Sequence, residues 1–258
     1  MIINPYAFGV SYDPDAQAFF TASGLTGATN LNAVNQLVLD LKAASIWTKM
    51  KAIYPMVGGT AALHKWNLKD PQDTNAAFRL VFSGGMTHST TGILFNGVNG
   101  YGNTFLNGTA FTTNHFCFYS RTLAVNTQIE MGVFQSAPNK LLQIRPAVNY
   151  ISGDTVSTVL FTTTTDARGF WLGTQRANND REGYRNGVSQ ATSTVNDATG
   201  FSIYPIYIGA RNFNNTGIDY PTSKQCAFAS LGDGLTDTEA ANFYTAVQTY
   251  QTTLSRQV

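Results

Sequence analysis

The acidic residues are the first candidates for chemistry, because two carboxylates on one strand face can hydrolyse a glycosidic bond. Retaining glycosidases hold such a pair about 5 to 5.5 Å apart. Glutamate occurs only at Glu130, Glu182 and Glu239, and none is followed two to four residues later by a second acid in a strand-like alternation. Most aspartates lie in turns such as Asn179-Asp180, where an Asx turn explains them. We predict no catalytic residues and no enzyme; acids assembled from separate strands remain the open alternative.

The histidines and cysteines give little indication of a catalytic or metal site. His64, His88 and His115 are too dispersed for local metal-ligand spacing. Cys117 and Cys226 lie in apolar, strand-like runs, which predicts buried thiols, although a disulfide is possible if those strands are neighbours. On one strand His115 and Cys117 would share a face, where a structural pair is favoured over a catalytic dyad. We expect no metal and no cofactor.

Composition excludes other classes of function. The net charge of +1 provides no field that would attract nucleic acid. Charged residues make up only 12% of the chain, so its surface must consist largely of Thr, Asn, Ser, Gln and Gly. No apolar run approaches the ~20 residues that span a membrane, and Met1 to Ser11 show no secretory signal.

The elements that would position functional residues are helical at both ends of the chain. Asp13 as N-cap, Pro14 and a closing Gly24 predict a first helix, and apolar spacing from Asn32 to Met50 predicts a second. Near the C-terminus, Thr236 and Glu239 form the capping box of an amphipathic helix. The acidic run Asp233 to Glu239 is therefore assigned to capping rather than to a calcium loop.

Between the helices the pattern is that of short β-strands separated by Gly, Asn and Thr clusters. The pair Asn186-Gly187 predicts a type I′ hairpin, and Gly97 to Gly102 are assigned to a turn. Many short strands indicate a sandwich or barrel. The predicted strands are Phe78 to Phe82, Gly92 to Phe95, His115 to Ser120, Gln128 to Phe134, Leu141 to Tyr150, Gly169 to Gly173, Gly183 to Arg185, Ile206 to Ala210 and Cys226 to Leu231.

The order of several short motifs resembles a concanavalin A-like, laminin-G-like jelly roll. The motifs are GILFNGVNGYGNT, FWLGTQR, REGYRNGVS, IYIGARN and AFASLGDGLTDTEAANFY, over about residues 90 to 250. The resemblance implies a mainly β jelly-roll sandwich with an N-terminal helical segment and a C-terminal amphipathic helix. We expect residues 1–75 to form an arm and helices that pack on the sandwich, and residues 76–258 to form the sandwich with its C-terminal helix.

The whole chain also resembles bacteriophage and prophage proteins of the tail-fibre or virion-appendage type. The segments that carry this second resemblance are AFFTASGLT, IWTKMKAIYPMVGG and HKWNLKDP. It implies a protein on the virion surface, made in the bacterial host cytoplasm. Its expected partners are other virion proteins and a host cell-surface glycan, with no nucleic acid and no membrane insertion. The low charge also favours a homo-oligomer, since few charges must be desolvated at an interface.

Sugar recognition requires an exposed aromatic surface beside planar hydrogen-bonding groups. The residues that would supply them from two neighbouring loops are Trp171, Arg176, Arg181, Tyr184, Arg211, Asn212 and Tyr220. In the alternative interpretation, Trp171 and Tyr184 face the core and the arginines are solvated or pair with Asp180 and Asp219. The hypotheses are therefore a glycan-binding virion protein, a purely structural virion protein, and, least favoured, a glycan hydrolase.

Overall fold

The computed structural model of the protein describes residues 11–154, 158–162 and 164–258. The expectation about a secretory signal concerns residues that lie almost entirely outside these ranges. None of the described helices is long and apolar enough to cross a membrane. The α-helices are α1 (Pro14–Ser23), α2 (Ala28–Ala43), α3 (Ala61–His64) and α4 (Asp237–Thr253).

Local capping sets the helix ends. The Asp13 carboxylate accepts the backbone N–H of Asp15 at the start of α1, and Gly24 at φ 70° ends it, as predicted. The capping box of α4 is likewise present. The second helix was predicted too far along the chain, because Ser45 adopts a left-handed φ of 60° that the helix cannot continue through.

Seventeen strands are described, and each of the nine predicted strands overlaps at least one of them. They are β1 (Met50–Tyr54), β2 (Val81–Ser83), β3 (Met86–Ser89), β4 (Gly92–Phe95), β5 (Tyr101–Asn107), β6 (Asn114–Ser120), β7 (Met131–Ser136), β8 (Asn139–Arg145), β9 (Asn149–Gly153), β10 (Thr158–Leu160), β11 (Gly169–Ala177), β12 (Asp180–Arg185), β13 (Val188–Ser193), β14 (Pro205–Ile208), β15 (Arg211–Phe213), β16 (Gly217–Asp219) and β17 (Gln225–Gly232).

Two strand predictions need correction. The single strand expected from Leu141 to Tyr150 is two antiparallel strands, β8 and β9, joined by a turn after Arg145. The strand expected from Phe78 begins only at Val81, because Phe78 has a left-handed φ of 58°. The Asn186-Gly187 hairpin is confirmed: both residues have positive φ, and they join β12 to β13.

The strands form two sheets, which we call the inner and the outer sheet. The inner sheet has the order β13-β12-β11-β6-β17-β4-β3, with β1 paired to β17. The outer sheet has the order β10-β9-β8-β7-β14-β5-β2, with β15 on β7 and β16 on β15. The mainly β sandwich with helices at both ends of the chain is therefore confirmed.

The inner sheet is buried on both faces. One hydrophobic core lies between this sheet and α1, α2 and α4, and includes Phe170, Phe228 and Phe243. A second core fills the space between the two sheets and includes Phe118, Trp171 and Ile144. The layers are thus the helices, the inner sheet and the outer sheet. In neither of these two cores does a helix pack on the outer face of the outer sheet.

The cysteines are free, buried thiols, as predicted from their apolar runs. They lie on neighbouring strands of the inner sheet, β6 and β17. Cys117 belongs to the core on the helix side, whereas Cys226 belongs to the core between the sheets. Because they face opposite sides of the sheet, they do not form a disulfide.

Candidate functional site

Trp171 is not an exposed aromatic platform, and that prediction is wrong. Its side chain is fully buried between the sheets, where its indole N–H donates to the Ala167 carbonyl at 3.0 Å and its ring packs edge-on against Phe161. The reason is that both neighbours, Phe170 and Leu172, face the helices. Strand β11 therefore has no solvent-facing side.

Arg181, Tyr184 and Asn212 are also buried and serve the fold. The guanidinium of Arg181 donates to the main-chain carbonyls of Ser152, Asn178 and Val195 at 2.7 to 2.9 Å. The Tyr184 side chain belongs to the helix-side core, and its hydroxyl donates to Asp237 at 2.8 Å. Asn212 donates to the Pro205 carbonyl at 2.8 Å and accepts the N–H of Asn215 at 3.0 Å. They are not available to a ligand.

Arg176 joins three carboxylates, of which Asp180 is a partner that the alternative interpretation proposed. Its guanidinium contacts Asp180 at 2.8 Å, Glu182 at 2.9 Å and Asp237 at 2.5 Å. Asp180 precedes Glu182 by two residues on β12, so both side chains lie on one strand face. The prediction that no such pair exists is wrong, because the second acid precedes the glutamate instead of following it.

The three carboxylates of this acidic cluster share one guanidinium. A glycosidase needs one carboxyl group whose pKa is raised, so that it can act as the general acid. Here the Tyr184 hydroxyl and the Arg176 guanidinium lower the pKa of Asp237. Hydrogen bonds to Asp180 and Glu182 raise the pKa of Arg176, which stays charged. The cluster is an ion-pair network between β11, β12 and the start of α4.

The two remaining glutamates are also engaged. Glu130 contacts Lys224 at 2.6 Å, and both side chains are fully buried. Glu239 closes the capping box of α4 and pairs with Lys49 at 2.6 Å. Each of these carboxylates is therefore paired with a lysine.

Histidine gives one contact that sequence spacing did not predict. His64 and His88 lie with their Nδ1 atoms 3.0 Å apart. Burial, followed by the charge of His88, lowers the pKa of His64 to about 3. Within the described ranges no three His, Cys, Asp or Glu side chains are grouped to hold a metal ion.

The fold brings together two pairs of predicted residues: Arg176 donates to the Tyr184 hydroxyl at 3.4 Å in the acidic cluster, and Arg211 lies beside Tyr220 at the surface. The guanidinium carbon of Arg211 lies 5.0 Å from the centre of the Tyr220 ring. Two hydrogen bonds to Asp219, of 2.8 and 2.5 Å, fix the arginine, as the alternative interpretation proposed. The Tyr220 side chain is 51% exposed. Tyr220 therefore presents an aromatic ring to solvent beside an ordered cation.

These two residues belong to a cleft of about 510 Å³ on the outer face of the outer sheet. Along β8, Leu142 and Ile144 lie in the core between the sheets. Strand alternation turns the intervening side chains to the outer face. The cleft is lined by Thr127, Ile129, Leu141, Gln143, Arg145, Asn149, Ile151, Arg211 and Tyr220.

The floor of the cleft carries a chain of polar side chains. The Arg211 Nη1 atom donates to Gln143 Oε1 at 3.4 Å, and Gln143 Nε2 donates to Asn149 Oδ1 at 3.2 Å. Gln143 pairs across the ladder with Gly132, where a Cβ atom would come within 2.9 Å of the Gln143 Cβ. The glycine thus leaves room for the glutamine beside the cleft.

The sequence contained one signal for this floor. Gln143 and Arg145 are polar residues at alternating positions in an otherwise apolar run, which is typical of a strand with one solvent face. Sequence reasoning assigned the run to one strand and did not assign its polar face. The other members of the cleft come from distant parts of the chain, so spacing alone could not group them.

No protein-family model and no curated protein sequence matches the chain. Its fold is similar to that of Trypanosoma rangeli sialidase in complex with 2,3-difluoro-KDN, at TM-score 0.52 and 9% identity over 83% of this chain and 39% of that chain. A mutant of the same sialidase displaying trans-sialidase activity matches at TM-score 0.51 and 10% identity, over 85% and 39%. An HCR/D mutant matches at TM-score 0.50 and 14% identity, over 78% and 53%.

The chain thus spans about two fifths of the sialidase chains and about half of the HCR/D chain. At these identities the similarity establishes the fold, a jelly-roll β-sandwich.

Proposed function

We propose that the chain is a non-enzymatic carbohydrate-binding module of a bacteriophage virion, which attaches the particle to a host-surface glycan through the outer-sheet cleft. The observation that carries the binding role is the exposed Tyr220 ring beside Arg211 in a cleft that also contains amide side chains. An aromatic ring receives the C–H face of a sugar, and amides pair with its hydroxyl groups.

The virion assignment is supported by the sequence resemblance and by the surface chemistry. With 12% charged residues, the chain can pack against other subunits while desolvating few charges. The proposed partners are other virion proteins and further copies of this chain. The proposed location is the particle surface, after synthesis in the host cytoplasm.

A purely structural virion role is the second candidate. The observation that favours it is the solvent-facing side of α4, which has no charged residue from Ala240 to Ser255. Its exposed residues include Thr245, Thr249, Thr252 and Thr253. Such a surface would suit a protein contact, and this role predicts no glycan binding.

The test is binding of the purified chain to an array of bacterial surface glycans, with its mass measured by light scattering on the same sample. We expect saturable binding that Tyr220→Ala weakens about tenfold, the loss typical of a stacked aromatic contact. Val98→Ala is the control, since Val98 is 71% exposed and lies outside the cleft lining.

Each outcome of that experiment decides between the candidates. Binding that Tyr220→Ala leaves unchanged would place the glycan elsewhere on the molecule. Absence of binding to every glycan on the array, together with a stable oligomer, would favour the structural role. Release of shortened glycans would contradict the non-enzymatic assignment.

A further inference from the structure

The two arginines of the outer-sheet cleft differ in their partners. Arg211 is neutralised by Asp219, which accepts hydrogen bonds from both its Nε and Nη2 atoms. Its Nη1 atom is directed to Gln143. Arg211 therefore has little capacity left for an anionic ligand.

Arg145 has no carboxylate partner among the described residues. Its Nε atom donates to the Gln128 carbonyl at 3.2 Å, and its Nη2 atom donates to the Thr127 carbonyl at 2.7 Å. Both acceptors are neutral main-chain groups, so the guanidinium is positioned but its charge is not balanced. Among the described residues, the Nη1 atom of Arg145 makes no hydrogen bond. It is also absent from the buried polar atoms without a partner, which means that this atom is not fully buried.

The surroundings of Arg145 oppose its charge. Burial lowers the pKa of Arg145, the charge of Arg211 lowers it further, and Glu130 raises it. Arginine nevertheless remains protonated at neutral pH. No acidic residue lines the cleft: Asp219 holds Arg211, and Glu130, which acts on Arg145 through its charge, is buried and paired with Lys224. A negatively charged ligand would supply the missing partner.

We propose that the cleft selects saccharides that bear a carboxylate, and that Arg145 is the residue that pairs with it. This inference rests on the proposed glycan-binding function. A guanidinium matches a planar carboxylate better than a point charge does, because its N–H groups form a fork. Tyr220 would then hold the sugar ring while Asn149, which is half-buried, contacts its hydroxyl groups.

The test compares matched polymers by isothermal titration calorimetry. The probes are alginate, polygalacturonate and polysialic acid, each beside its carboxyl-reduced form, with dextran as the neutral polymer and dextran sulfate as the sulfate ester. We expect at least one carboxylated polymer to bind about tenfold more tightly than its reduced form, the effect of one charge-assisted hydrogen bond.

Variants then assign the preference to one residue. Arg145→Gln should abolish the preference for the carboxylated form, and Arg145→Lys should keep part of it, because the charge is retained without the fork. Arg168→Gln is the matched control, since Arg168 is exposed, paired with Asp166 and outside the cleft lining. Melting curves confirm that each variant is folded.

The outcomes separate this inference from the proposed function. Equal binding of carboxylated and reduced polymers overturns the inference but leaves glycan binding intact. Equal binding of dextran sulfate and the carboxylated polymer overturns selection for a carboxylate and indicates a general anion site. A preference that survives Arg145→Gln overturns the role of Arg145. Absence of binding to every probe and to the glycan array overturns both.

Discussion

The outward faces of the two sheets have opposite surroundings. On the inner sheet, Phe170 and Phe228 are buried beneath Phe243 of α4. On the outer sheet, Arg145 and Tyr220 line an open cleft. The same strand geometry thus produces a core on one sheet and a candidate binding surface on the other, and the helical layer makes the difference.

The arginines of the two sheets differ in the same way as the sheet faces do. On the inner sheet, Arg176 is surrounded by three carboxylates that tie β11 and β12 to α4. On the outer sheet, Arg145 has only main-chain carbonyls as partners. The ion pairs of Arg176 join the inner sheet to α4, whereas Arg145 on the open sheet has no carboxylate partner among the described residues.

The largest expected effect is on the covered face. Phe243→Ala should lower the free energy of unfolding by about 3 to 5 kcal/mol, because it removes a fully buried ring and leaves a cavity. Glycan affinity per folded molecule should not change. Urea unfolding and calorimetry measure the two quantities, with exposed Thr245→Ala as the control on the same helix. A large loss of glycan affinity in folded Phe243→Ala would show that the covered face and the cleft are not independent.

A pH effect of similar size should also come from the covered face. Burial lowers the pKa of His115 to about 4, and its ring packs edge-on against Phe243. Between pH 4 and 6.5 the unfolded chain binds a proton that the folded chain excludes. The stabilisation is complete above about pH 6.5 and falls by about 3 kcal/mol as the pH approaches 4.

The measurement is urea unfolding across this pH range for the wild type and His115→Gln. The wild-type curve should slope more steeply, because only that chain carries the histidine. His64, whose pKa is lowered to about 3, contributes to the slope that remains in the variant. Parallel curves would show that His115 is not held neutral by the helical layer.

The smallest effect is expected on the open face. Asn149→Ala removes the acceptor of the Gln143 amide in the cleft. We expect glycan affinity to fall by about 1 kcal/mol, the usual value of one hydrogen bond, and the free energy of unfolding to fall by about 1 kcal/mol because the buried Gln143 amide loses its acceptor. Titration calorimetry and urea unfolding check both. A loss of stability without a loss of affinity would make Asn149 a structural residue.

Local sequence signals predicted the helices and turns better than they predicted which faces of these elements are buried. The capping residues Asp13 and Thr236 and the hairpin Asn186-Gly187 act within a few residues, and all three are confirmed. The end of α2 was wrong because a left-handed Ser45 has no sequence signature of its own. By contrast, the turn between β8 and β9 has a local signal, because Pro146 directly follows Arg145 and interrupts the run that was assigned to one strand.

The candidate site was harder to predict, since it depends on which sheet face is covered. Trp171 and Tyr184 are aromatic residues in strands, and sequence alone does not show that the inner sheet is buried on both faces. Arg145 was not predicted as a site residue because Tyr220 and Arg211, which line the same cleft, are distant in sequence and reach it only through sheet pairing. Exposure is a property of the assembled layers and not of the local pattern.

The position of β17 in the inner sheet also has a consequence for biosynthesis. This strand lies between β6 and β4 and pairs with β1 as well, so it joins segments made much earlier. During translation those strands leave the ribosome with unpaired, apolar edges. Such non-local pairing slows folding and exposes edges to association. We expect nascent chains that end before Gln225 to depend on chaperones, and the inner sheet to close only when β17 emerges.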